Sequence, residues 1–291
     1  MKLSKLPILL LAVVVLAGGS CNRDDYNYGN KDFATLSFAL SANSGLNVGT
    51  VVRADDGKEI TIAEALGVES YENPIAENFT IIVKNKDDED AFNETSLLSA
   101  WDTAKKLPLG TYTVLAEYDL ETVGFYGVEG GAPAFEGSAE FSIIEAKEYS
   151  VSIPVKLSNS ILKVVYTDMF RKYFKAADVR AKSNGVDTEI LFGYTESVEP
   201  TAQGAFMMAN KAAISYAFTP AQAQGVNIQG VTGVVEESLA ARTCYTLTFD
   251  VENVGGVNKF TIKLNDEVKE TVDLGEVDLN DDQYKDNGEV E

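Results

Sequence analysis

No histidine occurs in this 291-residue chain. That absence removes Ser-His-Asp and Cys-His nucleophiles, imidazole general bases and nearly all transition-metal sites. What is left for an enzyme is a carboxylate pair of the glycosidase kind, or a Ser-Lys arrangement. Among 45 acidic residues no pair is singled out, so the sequence predicts no catalytic residue, no cofactor and no metal centre. Cysteine is almost as scarce: Cys21 and Cys244 are the only two, too few for a disulfide framework. Cys244 lies in the alternating stretch RTCYTLTFDV and is expected to pack as a small buried hydrophobe. Basic residues are few, 24 against 45 acidic ones, for a formal net charge of −21. Phosphate backbones and anionic membrane surfaces repel such a surface, so nucleic acid is excluded as a partner. The acidity itself favours a soluble, monomeric protein and says nothing about fold.

Long apolar runs are missing too, except at the start. Lys2 and Lys5 precede an apolar segment, Leu6 to Ala17, which ends in the small residues Gly18, Gly19 and Ser20. The segment falls well short of the roughly twenty residues a bilayer-spanning helix needs. Residues 1–20 therefore read as a removable export signal. A cysteine directly after LAGGS resembles a bacterial lipoprotein signal, although Gly18 stands where that family usually has leucine. The resemblance implies a cut before Cys21 and a lipid on its thiol, which leaves Cys244 without a disulfide partner. Each buried methylene of such a lipid contributes about 0.8 kcal/mol, so several chains anchor stably where one is marginal. Asn22-Arg23-Asp24-Asp25 resembles the acidic signal that sends Bacteroidota lipoproteins to the outer leaflet. The implied location is the cell outer membrane, lipid-anchored and facing the medium. The other reading of residues 21–32 is an acidic linker that spaces the domain from the lipid.

After the linker, strand signals dominate. FATLSFALSA (Phe33–Ala42) alternates Leu36, Phe38 and Leu40 with small polar residues. NFTIIVKN sets Phe79, Ile81 and Val83 on one face. GTYTVLAEY does the same with Tyr112, Val114 and Ala116, and YSVSIPVKL with Val151, Ile153, Val155 and Leu157. Pro154 cannot donate to a ladder and is expected at an edge or on a non-bonded side. A second series runs through SILKVVYT, EILFGY, AFMMA, AISYAFTP, CYTLTFDVEN, NKFTIKL and VKETVDL. DMFRKYFK interrupts it with Phe170 and Phe174 four apart, a short helix with Asp168 as its expected N-cap. Short strands without alternating long helices predict an all-β fold of two antiparallel sandwiches in tandem. The expected division is 33–157 and 158–277, with 278–291 an acidic, frayed tail.

TLSFAL, NFTIIVKN, LPLGTYTVLAEY, FEGSAEFSI and SVSIPVKLSNSILKVVYTDMFRKYF together resemble an uncharacterised lipoprotein domain family of Bacteroidales. That family is similar to the fimbrillins, the subunits of these bacteria's surface pili. The resemblance covers roughly residues 33–175. It implies two Greek-key, transthyretin-like sandwiches, a role in cell adhesion or pilus assembly, and other fimbrillin-like subunits as partners. In fimbrillins a trypsin-like protease cuts after an arginine and frees an N-terminal segment, opening a groove for a partner's strand. Arg53, in TVVRADDG just after the first strand, falls in the corresponding order, and its other reading is an ordinary loop arginine.

The remaining candidates each have a plainer alternative. Trp101, Phe125 and Tyr126 offer rings that can stack on sugars, as a glycan-binding lipoprotein of a polysaccharide-uptake system would require, or they cap the end of a sandwich. Asp102-Thr103-Ala104 resembles the O-glycosylation motif of Bacteroidota, with Thr103 the acceptor. Asp278, Asn280, Asp282 and Glu289 sit at calcium-loop spacing, but Gln283 replaces the glycine of that loop and no helices are expected beside it. With Lys86–Asp90, these residues read as solvated turn acids in preference to a calcium loop.

Overall fold

Burial follows period-two alternation along most of the chain, as in Lys211–Pro220, where every second residue from Ala212 to Phe218 is buried. The computed structural model describes residues 33–43, 45–48, 59–87, 92–120, 122–128, 131–221, 229–254 and 257–275. In chain order the first ten strands are β1 (Phe33–Asn43), β2 (Gly45–Val48), β3 (Glu59–Thr61), β4 (Thr80–Asn85), β5 (Asn93–Leu97), β6 (Leu107–Pro108), β7 (Gly110–Tyr118), β8 (Gly124–Phe125), β9 (Phe135–Ile143) and β10 (Glu148–Leu157). Nine more follow: β11 (Ser160–Tyr166), β12 (Phe174–Ser183), β13 (Glu189–Leu191), β14 (Ala205–Met207), β15 (Lys211–Pro220), β16 (Val231–Ser238), β17 (Thr243–Val254), β18 (Val257–Leu264) and β19 (Glu267–Gly275). Two short helices, α1 (Ile62–Leu66) and α2 (Asp168–Tyr173), are the α-helices among the described residues.

The first core lies inside one sheet of order β5-β4-β7-β9-β10-β1-β6. β9 and β10 pair only through Val155–Leu157 and Phe135–Gly137, at the end away from their connecting turn. Residues on both sides of that corner, Ile81 and Val114 on one and Leu36 and Ile153 on the other, share one buried cluster. The sheet thus folds over itself into two layers, β5-β4-β7-β9 and β10-β1-β6. Pro154 sits in β10 one residue before the β9 ladder begins, where its missing N–H costs no β9 bond.

The second core lies between the sheet β19-β18-β17-β11-β14-β8 and the sheet β13-β12-β15-β16. Aromatic rings fill it: Phe170 lies 4.8 Å from Phe174 and 4.9 Å from Phe218, and Phe218 lies 5.0 Å from Phe249. Such offset and edge contacts add stability beyond area burial. The expected short helix is present, but its N-cap is Thr167, whose Oγ1 accepts from the Phe170 N–H at 3.1 Å. Asp168 is the first helical residue instead; its carboxylate still complements the positive end of the helix.

The chain is all-β with two cores in tandem, as the strand spacing predicts. Among the described residues three pairings run parallel, β1 with β10, β11 with β17 and β2 with β17. Alternation reveals a buried face but not a direction, so the expected antiparallel sense holds for most pairings and not for these. Nor do the cores divide cleanly at the break near Leu157–Ser160. Ile161, Phe206 and Cys244 belong to the first core and Val123 to the second. β8 pairs with β14, and β2 reaches across to β17. The described residues, from 33 to 275, fall in one compact unit.

Helix α1 is fixed at this junction. Thr61 and Glu64 form a capping box at its start, and Gly67 ends it in the left-handed region at φ 70. Carbonyls of its last turn take donors from the second half: Lys163 Nζ to Glu64 O at 2.8 Å and the Gly204 N–H to Leu66 O at 2.8 Å. A side chain at Gly204 has no room, since a Cβ there would lie 2.9 Å from Ile161 Cγ2 and 3.0 Å from Ala65 O.

Candidate functional site

β1 and the groove it fills carry the most distinctive geometry. The strand pairs with β10 in parallel over nine positions, from Thr35 opposite Glu148 to Asn43 opposite Lys156. On its other side only Phe33 and Ala34 pair, with Pro108 and Leu107 of β6. The layer opposite β5-β4-β7-β9 is therefore β10 and β1 for most of its length. Ala34 and Leu36 are fully buried, and Phe38 and Leu40 pack against the same core. Burial of a large apolar side chain contributes about 1.5–3 kcal/mol, so this strand is a principal stabiliser of the first core. Removing it would expose the β10 edge and the apolar floor beneath Leu36.

Trp101 closes this groove from inside. It is 8% exposed, donates its indole N–H to Leu36 O at 2.8 Å, and meets the Phe38 ring edge-on at 5.1 Å. Lys105 Nζ lies 5.8 Å from its ring centre. The ring is thus covered within the first core. The residue satisfies a strand-edge carbonyl, a role that burial of an N–H-bearing aromatic requires. Phe125 sits in β8, half-buried, with its ring 5.1 Å from Phe192 in an edge contact. Tyr126 is also half-buried; its hydroxyl accepts from the Glu72 N–H at 3.2 Å and its ring lies 5.2 Å from Tyr71. Phe125 and Tyr126 are neighbours in the chain, but Phe125 packs against the second core and Tyr126 against the first, to which the buried Trp101 belongs.

Thr103 is exposed at the tip of a turn, where the Ala104 N–H donates to Asp102 Oδ1 at 2.9 Å. Asp102 thus builds the turn that presents Thr103. Cys21, Arg53, Asp278, Asn280, Asp282 and Glu289 lie outside the described residues. Cys244 is buried, as expected, with its Sγ 3.9 Å from Ala65 O, and burial pushes its thiol up. Burial also pushes the Tyr71 hydroxyl up, and Tyr126 and Tyr118 nearby add to the effect. Among the described residues no group of three or more acidic or cysteine side chains is placed to hold a metal.

The sequence signal for β1 was its alternation; what it left out was β1's neighbour. A family model described as "Domain of unknown function (DUF4493)" matches residues 46–278. The chain belongs to this family. The DUF4493 match spans both cores and begins inside β2, just after β1. No curated protein matches the sequence. Among solved structures, a fimbrial assembly protein from Parabacteroides distasonis is similar at 10% identity and TM-score 0.35, over 84% of this chain and 98% of that one. A candidate polysaccharide-binding protein (DUF1812) from Bacteroides thetaiotaomicron is similar at 13% identity and TM-score 0.38, over 81% and 97%. The fimbrial anchor protein Mfa2 from Porphyromonas gingivalis is similar at 9% identity and TM-score 0.32, over 83% and 100%.

Proposed function

We propose that this DUF4493 protein is a non-catalytic cell-surface lipoprotein that acts in adhesion or as a fimbrillin-like, pilus-associated subunit. The observation that carries the reading is the position of β1, an uncharged, alternating strand that supplies half of one layer of the first core. Such a strand can be exchanged for an equivalent one, because backbone pairing gives affinity and alternate side-chain pockets give specificity. Arg53 follows it in the chain at the place where a trypsin-like cut would free it. Cys21 carries the lipid that holds the protein in the outer membrane, Thr103 is a glycan acceptor on an exposed turn, and residues 33–157 and 158–277 serve as its two domains. A polysaccharide-uptake role is less well supported, because Trp101 is buried.

The test is limited digestion of the purified chain with a trypsin-like protease. Cleavage after Arg53 is expected to yield a folded product that assembles into a heat-sensitive ladder on a detergent gel. Arg53→Ala is expected to stay monomeric. A product that is cut but never assembles would remove the polymerising role and leave a stand-alone adhesin or anchor.

A further inference from the structure

The turn between β12 and β13 holds one of the two Asn-Gly pairs of the sequence, Asn184-Gly185; the other, Asn287-Gly288, lies outside the described residues. The Val186 N–H donates to Ser183 O at 3.3 Å, and Gly185 has φ +81, the value a type II turn needs at its third residue. Both residues are exposed, and a Cβ on Gly185 would meet nothing within 4 Å. The peptide groups of Asn184 are held: its N–H donates to Lys211 O at 2.7 Å, and its carbonyl accepts from Asn210 Nδ2 at 2.9 Å. Among the described residues, neither the Asn184 carboxamide nor the Gly185 N–H has a hydrogen-bond partner. These are the two groups that react in deamidation. Asn159, which precedes Ser160, shows the contrast: it is 1% exposed, and its amide is bonded to Ala134 and Thr122.

We propose that Asn184 is a site of spontaneous deamidation. The deprotonated peptide nitrogen of Gly185 attacks Cγ of Asn184, a C–N bond forms, the Cγ–Nδ2 bond breaks and ammonia leaves. Water then opens the cyclic imide, at either carbonyl, to aspartate or isoaspartate. No other reactant is needed. Gly185 favours the step because no side chain hinders its nitrogen. The product matters because of where it forms. Asn184 and Gly185 line an open cavity of about 570 Å³ together with Lys182, Asp187, Lys211 and Glu236. Lys182 already faces Asp187 at 3.9 Å. A new carboxylate here adds a third acid, beside Asp187 and Glu236, against two lysines and turns a balanced cavity mouth net negative. The isoaspartate form also lengthens the backbone by one carbon within the turn. The change runs one way, so the proportion of molecules converted rises with the time since synthesis.

The test uses the full folded chain, held at mildly alkaline pH and sampled over days, then digested with trypsin. The peptide Ser183–Lys211 is expected to gain the mass of an amide exchanged for an acid. Fragment ions should place the gain at residue 184 rather than at Asn210, and the rate should rise with pH. Asn184→Gln should keep the peptide's mass constant. A folded chain whose peptide stays unchanged while the urea-unfolded chain converts would overturn the proposal. So would a gain that persists in Asn184→Gln.

Discussion

Trp101 joins two requirements in one side chain, since its ring fills the space beside Phe38 and its N–H answers the carbonyl of Leu36. Trp101→Phe keeps most of the ring and leaves that carbonyl unpaired, which costs about 1–3 kcal/mol. Urea denaturation should read the loss, and retention on polysaccharide gels should not change. A second residue-scale prediction concerns the contact between β16 and β19. Partial burial pushes the Glu237 carboxyl up, but Lys269 at 2.7 Å and the Ser238 N–H pull it below its ordinary value. A carboxyl depressed on folding stabilises above its unfolded pKa, and that stability is lost as pH falls through the folded value. Glu237→Gln should therefore be less stable than the parent at neutral pH and equal to it in strong acid. Melting temperatures across the acid range check this, and a constant difference at all pH values would rule it out.

Elements with strict alternation were legible in the sequence: the faces of β4, β7, β10 and β15 are those that alternation predicts. β12 was hidden because Phe174, counted as the last turn of the helix, is its first residue. β5 and β16 were missed because their polar, half-exposed residues lack a buried stripe. β2, β3 and α1 are too short for a period to show, and their stability comes from partners distant in sequence. The same reasoning explains why the rings at 101, 125 and 126 could be named but not placed. A prediction follows for β1 and β2, which lie on the same side of Arg53. Val48 of β2 pairs with Cys244. In a Cys21→Ser chain, cutting after Arg53 and removing the freed segment should make Cys244 open to a thiol reagent, whereas the uncut chain should stay unlabelled. Equal labelling rates before and after the cut would mean that β2 does not shield the thiol.

At the scale of the molecule, residues exchanged between the cores tie the halves together. Phe206 and Ile161 come from the second series of strands and are buried in the first core. Phe206→Ala should cost about 3–5 kcal/mol and lower the stability of both halves together. Calorimetry of the parent should show a single transition, and two resolved transitions would mean that the halves unfold independently. The parallel pairing of β1 with β10 also fixes a polarity. Phe33, where residues 21–32 join, lies by Pro108, two residues before the β1–β10 pairing opens at Glu148, and Asn43 lies by Lys156, just before the passage into the second core. If a lipid at Cys21 holds the chain to a membrane, the first strand acts as a mast rather than a hook. It begins beside the β9–β10 turn and ends beside the passage into the second core, so that tension between the lipid and that core would load the β1–β10 ladder along its length.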